Sequence, residues 1–328
     1  MRRSRRRTVG LVLGAGGILG SAWTTGMLAA LAPRLDRSLG DLDLVVGTSA
    51  GSILGAALRC GMTVDELLAH QHGDHVADAV PDAAVLERES GDGLPPIPRP
   101  WIGSPRLLAT ALTRPGTVDP VVAASGLLPA GRGRMGSLIG MVAGLQTRAG
   151  VTTDGWVPGP PLWIAAVDYD SGQRVVFGRD GAPPSTVGEA VLASCSIPGW
   201  FTPQVIDGRR YVDGAVSSST SVALLARPGA PALDEVYVLA PMASHVADRP
   251  RDPLAVAERA MRRVLTRWLD AEVAELRATG AQVTVLTPGP ADLAAMGGNL
   301  MNPRRRDRVL ETSLETSVAA LSAPASAA

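Results

Sequence analysis

Two segments near the start of the chain share one order: a short apolar run, a glycine or serine turn, and a helical pattern. Residues 8–13 precede the glycine run 14–20 and helical spacing over 21–35. Residues 41–48 precede a small-residue helix at 50–59. Successive strand–turn–helix units place their strands parallel, because each helix returns the chain to the same edge. The sequence therefore predicts an α/β fold of three layers, with a mostly parallel central sheet and helices on both faces.

The rest of the chain adds elements of the same two kinds. Further strands are predicted over Leu162–Asp168, 174–178, Gln204–Ile206, 210–212, Glu235–Leu239 and Gln282–Leu286, and helices from Thr63, over 253–279 and over 306–321. Prolines and glycines interrupt residues 77–157, which indicates an irregular lid or insertion over the sheet. We therefore expect a basic tail at 1–7, a single domain at 8–322 and a disordered tail at 323–328.

The amino terminus resembles an export signal, because arginines precede an apolar stretch. Six glycines interrupt that stretch and would destabilise a continuous helix: Gly10, Gly14, Gly16, Gly17, Gly20 and Gly26. A strand, a turn and a helix explain the same residues better. Cys60 and Cys195 lie in apolar surroundings and are expected to be reduced. Together these features favour a cytoplasmic protein, with peripheral contact at the membrane as a further expectation.

Charge gives little support for a nucleic-acid partner, because 31 basic and 31 acidic residues balance over 328 residues. All basic residues are arginine, and they cluster at both ends. The clusters are Arg2, Arg3, Arg5, Arg6 and Arg7, and Arg304, Arg305 and Arg306. They are either solvated ends or contacts for anionic lipid headgroups. The oligomeric state stays open.

The turn at Gly47-Thr48-Ser49-Ala50-Gly51 has the pattern G-x-S-x-G between a predicted strand and a predicted helix. This is the context in which a serine nucleophile projects from the edge of a sheet. Gly47 and Gly51 allow the strand and helix to approach closely. The sequence therefore predicts Ser49 as a nucleophile.

The glycine run has a second chemical use. It does not match a dinucleotide-binding motif, because Leu19 stands where the third glycine is needed and the next strand ends at Ser49 instead of an acidic residue. Backbone amides near a nucleophile can instead stabilise an oxyanion. Gly14, Gly16 and Gly17 are the candidate donors, and Gly20 supports the turn. A turn without chemistry is the alternative.

An aspartate later in the chain completes the set. Asp213 ends a predicted strand and is followed by Gly214, so its carboxylate can project near Ser49. The alternative is a simple turn, as predicted for Asp207-Gly208. As a base, Asp213 needs partial burial, because a free carboxylate has a pKa of about 3.9.

These three segments, in this order, resemble the patatin-like phospholipase family. The similarity extends over residues 9–51 and 162–216, including Ala193-Ser194-Cys195-Ser196-Ile197-Pro198-Gly199 before the aspartate. It implies a patatin-like fold and a Ser49–Asp213 dyad that hydrolyses acyl esters of lipids without a metal or organic cofactor. Ala15 and Leu19 depart from the family's usual G-G-G-x-R-G loop. Leu19 is then either a lost cation or a buried packing residue.

Other functions stay open at this point. His70, His72, Asp74 and His75 have the spacing H-x-H-x-D-H of a metal site, although a polar helix end fits their context better. Ser49, Asp213 and His245 occur in the chain order of a Ser-His-Asp hydrolase. A catalytically inactive lipid-binding relative is a third alternative. An acyltransferase would use the same residues as a hydrolase.

Overall fold

A central sheet is built from strands along most of the chain. The structure is a computed structural model that describes residues 6–74, 76, 94–152, 155–157 and 159–322. Within these ranges, the strands of the sheet are β1 (Val9–Leu13), β2 (Leu44–Thr48), β5 (Leu162–Asp168), β6 (Arg174–Phe177), β7 (Gln204–Ile206), β8 (Arg209–Asp213), β9 (Glu235–Leu239) and β10 (Gln282–Leu286). Two short strands, β3 (Arg99–Ile102) and β4 (Pro129–Ala130), form a separate antiparallel pair. The expected tail at 323–328 lies outside the described residues.

Helices surround this sheet. They are α1 (Gly17–Leu31), α2 (Ala50–Arg59), α3 (Val64–His72), α4 (Pro105–Thr113), α5 (Pro120–Ser125), α6 (Gly136–Arg148), α7 (Val187–Cys195), α8 (Pro253–Arg277), α9 (Pro290–Met296) and α10 (Arg306–Ser322). Thr63 caps α3 through a capping box with Glu66, as their spacing predicts. Helix α7 was not predicted from the sequence, although Thr186 and Glu189 form the same capping box.

The strand order is β10-β9-β1-β2-β5-β8-β7, and β6 also pairs with β5. Pairs from β10 to β5 along this order are parallel, whereas β5 pairs antiparallel with β6 and β8. The predicted fold class, a mostly parallel α/β sheet, is confirmed. The hairpin of β7 and β8 adds the antiparallel end, so Asp213 enters the sheet beside β5.

Alternating side chains of each strand enter different cores, which explains the layers. Leu11 and Leu13 belong to one apolar cluster with α1, α2 and α7, whereas Val12 belongs to another with α8. Helices therefore cover both faces, and β1 is buried at every position. Strands buried on both faces have the continuous apolar runs that the sequence displays.

The predicted irregular insertion is only partly irregular. Its described part, 94–152, contains α4, α5 and α6 besides the β3–β4 pair. Leu107 of α4 is fully buried in a small cluster with Val167 of β5 and Val212 of β8. The insertion is thus attached to the antiparallel end of the sheet. Proline-rich spacing hid these helices, because Pro105 and Pro120 each start one.

Candidate active site

Ser49 lies on a strained turn between β2 and α2. Its φ of 53° and ψ of −124° are sterically unfavourable for a residue with a side chain. A Cβ on Gly47 would lie 2.6 Å from Ser52 Cα, and one on Gly51 would lie 2.0 Å from the Leu13 carbonyl oxygen. Only glycine therefore fits at these two positions, as the motif predicts. Such strain is typical of functional turns.

Asp213 meets Ser49 directly. The Ser49 hydroxyl donates to Asp213 Oδ2 at 2.6 Å, and the Ala215 amide donates to Oδ1 at 2.8 Å. Both side chains are buried. A Cβ on Gly214 would lie 2.4 Å from the Ala165 carbonyl oxygen, so this position also requires glycine. The two residues that the sequence singled out are thus in contact across a span of 164 residues.

The register of the sheet explains this contact. Thr48 of β2 pairs with Ala165 of β5, and Asp213 of β8 pairs with Ala166. Ser49 follows Thr48, so the nucleophile turn and the aspartate flank the same part of β5. No local signal specifies this proximity, because it depends on β8 pairing antiparallel with β5.

Burial controls the acidity of Asp213. Loss of solvation raises the pKa of its carboxyl to about 7, against the lowering effect of hydrogen bonds from Ser49 and the Ala215 amide. A carboxyl with this pKa can accept a proton near neutral pH. The expected burial of Asp213 is confirmed, and its role as a base stays a prediction.

Two further serines hold the nucleophile turn, and sequence reasoning assigned them no role. Ser194 Oγ accepts a hydrogen bond from the Ser49 amide at 2.8 Å and donates one to the Ala165 carbonyl at 2.7 Å. Ser52 Oγ donates to the Ser49 carbonyl at 2.6 Å. Ser194 lies in the segment before the aspartate, and that position was its only signal.

The glycine run differs from its prediction. It was expected to be a turn through Gly20, but α1 already begins at Gly17, which has a φ of 59°. The Gly14 amide donates to the Leu239 carbonyl at 2.9 Å. Its role as an oxyanion donor is therefore wrong for this arrangement, because the amide continues the pairing of β1 with β9.

The amides of Gly16 and Gly17 keep their candidate role. Neither has a backbone acceptor within the described ranges, whereas the Gly20 amide donates to the Gly16 carbonyl at 2.8 Å. Gly17 lines the same cavity as Ser49. A Cβ on Gly16 would lie 2.7 Å from Gly20 Cα, so the supporting role of Gly20 reflects close packing.

Leu19 is a buried packing residue. Its side chain is fully buried in the core, and its amide donates to the Leu300 carbonyl at 3.0 Å. Met301 follows, and its Sδ lies 2.7 Å from where a Cβ on Gly17 would be. The segment before α10 therefore supports the glycine run, a contribution that the sequence did not reveal.

A cavity of about 140 Å³ adjoins Ser49. Most of its lining is apolar, from α1, α2, α3, α6 and the loop after α7: Ile18, Ile53, Leu54, Ala57, Leu67, Met135, Leu138, Met141, Ile197 and Phe201. Ser21, His70, Gln71 and Arg306 add a polar part. Its volume and lining suit an alkyl chain better than a polar ligand.

The position of His245 gives the alternative triad no support. Its imidazole contacts Asp270 at 2.8 Å, is about half exposed, and does not line the cavity beside Ser49. His70 does line that cavity, from the last turn of α3. Its sequence pattern allows a metal ligand and favours a polar helix end, yet its side chain is buried.

The metal hypothesis has no support within the described ranges, where no group of His, Cys, Asp or Glu could hold an ion. His75 lies outside those ranges. Cys60 and Cys195 are buried free thiols, as predicted. Burial raises the pKa of Cys60 to about 11 and raises that of Cys195, so neither thiol is an activated nucleophile.

No helix among the described residues combines the length and apolar character that a bilayer crossing requires.

Comparison with known proteins gives one family. The sequence profile described as Patatin-like phospholipase matches residues 11–86 and 161–226. The two matched segments contain Ser49 and Asp213, respectively. The first includes the glycine run and α1 to α3, and the second includes β5 to β8.

Solved structures with a similar chain trace include VipD from Legionella pneumophila. It is 16% identical with a TM-score of 0.43, over 96% of this chain and 67% of VipD. The type III effector protein ExoU is 19% identical with a TM-score of 0.36, over 95% of this chain and 52% of that one. ExoU in complex with SpcU from Pseudomonas aeruginosa is 15% identical with a TM-score of 0.34, over 96% and 53%. This chain thus spans about half of the ExoU chains.

Proposed function

Because this chain belongs to the patatin-like phospholipase family, and is by that membership a lipid ester hydrolase, we propose that it works through a Ser49–Asp213 dyad. The substrates we propose are carboxylic esters of lipids, as for a phospholipase A, lysophospholipase or esterase. The reaction passes through an acyl-enzyme on Ser49. One observation carries the proposal: the 2.6 Å hydrogen bond from the Ser49 hydroxyl to a buried Asp213, beside an apolar cavity.

In the first half of the reaction Asp213 Oδ2 accepts the hydroxyl proton while Ser49 Oγ attacks the ester carbonyl. Protonated Asp213 then gives this proton to the leaving alkoxide, and the acyl group stays on Ser49. In the second half a water molecule loses a proton to Asp213 and attacks the acyl-enzyme. Collapse releases the fatty acid, and the proton returns to Ser49 Oγ.

The oxyanion of each tetrahedral intermediate needs donors already in place. We assign this role to the amides of Gly16 and Gly17, since Gly16 is the N-cap residue of α1 and Gly17 is its first residue. The helix dipole of α1 adds partial positive charge there. Close packing of Gly16 against Gly20 and Pro241 supports a fixed position for these amides.

The cavity supports an acyl chain as the group bound beside Ser49. Leu54, Ala57 and Leu67 lie on α2 and α3, and Leu138 and Met141 lie on α6. An alkyl chain buried among them gains about 0.8 kcal/mol for each methylene group. Esters with a longer acyl chain should therefore bind more tightly until the cavity is filled.

A fluorophosphonate tests the nucleophile directly. We expect it to modify Ser49 in the folded protein and not after denaturation, as mapped by peptide mass spectrometry. The rate should fall about tenfold for each pH unit below 7, because protonated Asp213 cannot accept the hydroxyl proton. Modification of another serine, or an equal rate at pH 5 and pH 8, would exclude the proposed dyad.

A further inference from the structure

We propose that the β3–β4 pair and its flanking loops form a docking surface for an anionic lipid bilayer. This β3–β4 surface consists of Arg99, Trp101, Ile102, Leu127, Leu128, Arg132 and Arg134. The proposal rests on the proposed function to the extent that the adjoining cavity takes a lipid chain. Its evidence is the exposure, charge and position of these seven residues.

The apolar members are exposed without a protein partner to cover them. Trp101 is 70% and Leu127 61% exposed, and Ile102 and Leu128 are also exposed. All four residues of β3 are exposed, so neither face of this strand packs on the body of the protein. Exposed apolar clusters of this kind mark interaction sites. Tryptophan in particular favours the interface between lipid and water.

These side chains are held together. Ile102 pairs with Pro129 in the antiparallel register, and the Gly103 amide donates to the Leu128 carbonyl at 2.7 Å. The two strands are therefore held together by pairing and by this hydrogen bond, although their side chains face solvent. A surface fixed before contact loses less conformational entropy on binding.

Positive charge accompanies the apolar side chains. The segment 94–152 contains six arginines and one acidic residue, Asp119, in a chain whose net charge is zero. Arg99, Arg132 and Arg134 are exposed, and no carboxylate pairs with them within the described ranges. Unpaired arginines beside exposed tryptophan and leucine match the headgroups and acyl boundary of an anionic bilayer. A protein partner would need an acidic face to match this concentration of one sign of charge, whereas an anionic bilayer presents negative charge over its whole surface.

The β3–β4 surface lies next to the cavity at Ser49. Gly133, between two of its arginines, forms a bridge to Phe201, and the Gly133 amide donates to the Trp200 carbonyl at 2.9 Å. Phe201 lines the cavity. A bilayer bound to this surface would therefore supply lipid close to the nucleophile.

Vesicle cosedimentation tests this surface without hydrolysis if every protein carries Ser49→Ala. We expect binding to vesicles of phosphatidylcholine and phosphatidylglycerol in equal parts, and weaker binding to phosphatidylcholine alone. Arg132→Gln with Arg134→Gln should lower the partition coefficient by about fivefold for each arginine. Trp101→Ser with Leu127→Ser should lower it by about tenfold or more. High salt should weaken the first contribution more than the second.

Matched controls use the same changes elsewhere. Two control pairs alter residues of similar exposure outside the β3–β4 surface: Arg249→Gln with Arg251→Gln, and Leu254→Ser with Val256→Ser. They should bind vesicles as the parent does. The proposal would be overturned if the control variants lost as much vesicle binding as the variants of the β3–β4 surface. It would also be overturned if those surface variants bound like the parent, or if the parent bound neither kind of vesicle.

Turnover of a water-soluble monomeric ester separates the two proposals. With Ser49 intact, the variants of the β3–β4 surface should retain that turnover while losing activity on vesicles. If the parent binds anionic vesicles through this surface but hydrolyses no ester, the proposed function fails and the docking surface stands.

Discussion

The sheet edge with Ser49 and the β3–β4 surface differ in how far their side chains are exposed and paired. At the sheet edge, polar groups are buried and each has a specific partner, as in the chain of hydrogen bonds from Ala165 through Ser194 to the Ser49 amide. At the β3–β4 surface, Trp101 and Leu127 are exposed, and no carboxylate within the described ranges forms an ion pair with Arg132. Chemistry requires fixed groups away from water, whereas docking requires groups left accessible.

The largest effect should come from removing either member of the dyad. Ser49→Ala and Asp213→Asn should each lower kcat by roughly 10⁴-fold, because each abolishes the same proton transfer and attack. The double variant should be hardly slower than either single one. Asp207→Asn is the matched control. Asp207 is exposed in the β7–β8 hairpin that also contains Asp213, and asparagine also tolerates its φ of 48°. Additive losses would show that the two residues do not act together.

Burial of Asp213 should also be visible in stability. Its pKa is about 7 in the folded protein and about 3.9 when unfolded, so the folded state binds the proton more tightly. Stability should therefore fall as pH rises from 4 to 7 and then level off. Asp213→Asn removes this loss and should raise the free energy of unfolding at pH 8 by at most about 4 kcal/mol.

Urea unfolding at pH 5 and pH 8 measures this difference. The gain should be smaller at pH 5, where the wild-type carboxyl is mostly protonated. Asp207→Asn should change stability little at either pH. A variant that is equally or less stable than the wild type at pH 8 would contradict the cost assigned to burying this charge.

Two leucines on α4 compare buried and exposed positions within the insertion. Leu107 is fully buried against β5 and β8, and Leu112 is 83% exposed. Leu107→Ala should lower the free energy of unfolding by about 2–5 kcal/mol, because it leaves a cavity. Leu112→Ala should change it by less than about 0.5 kcal/mol. Similar small effects at both positions, in urea unfolding, would mean that the insertion unfolds separately from the sheet.

The smallest expected effect concerns His245. It contacts Asp270 and does not line the Ser49 cavity, so His245→Ala should keep kcat within about threefold of the wild type. The variant is needed because an acid limb near pH 7 overlaps the ordinary pKa of histidine, about 6.5. A loss as large as that of Asp213→Asn would restore a role for histidine.

Much of the fold could be predicted from local pattern. Leu162–Asp168, Glu235–Leu239 and Gln282–Leu286 have the predicted bounds, because buried strands are continuous apolar runs between turn residues. The start of α1 was predicted four residues late. A glycine run has low helix propensity, and contacts with the segment at Leu300 and Met301 support the start of the helix at Gly17.

Ser49 and Asp213 could be singled out because both lie near glycines that close packing requires, Gly47 and Gly51 for Ser49 and Gly214 for Asp213. Their action as a dyad stays a prediction. Ser194, His70 and Arg306 could not be assigned to the site in the same way. Their place depends on how α7, α3 and α10 pack around the cavity, and that packing leaves no motif in the sequence.

The support that the carboxyl-terminal segment gives to the glycine run has a consequence for protein synthesis. A nascent chain that has emerged as far as Asp213 already carries both reactive side chains. It still lacks Leu300, which accepts the Leu19 amide, and Ser313, whose hydroxyl donates to the Trp23 carbonyl at 2.8 Å. The start of α1 therefore gains this support only after residues 300–313 have been synthesised. A shorter nascent chain would carry Ser49 and Asp213 without the contacts that hold this helix in place.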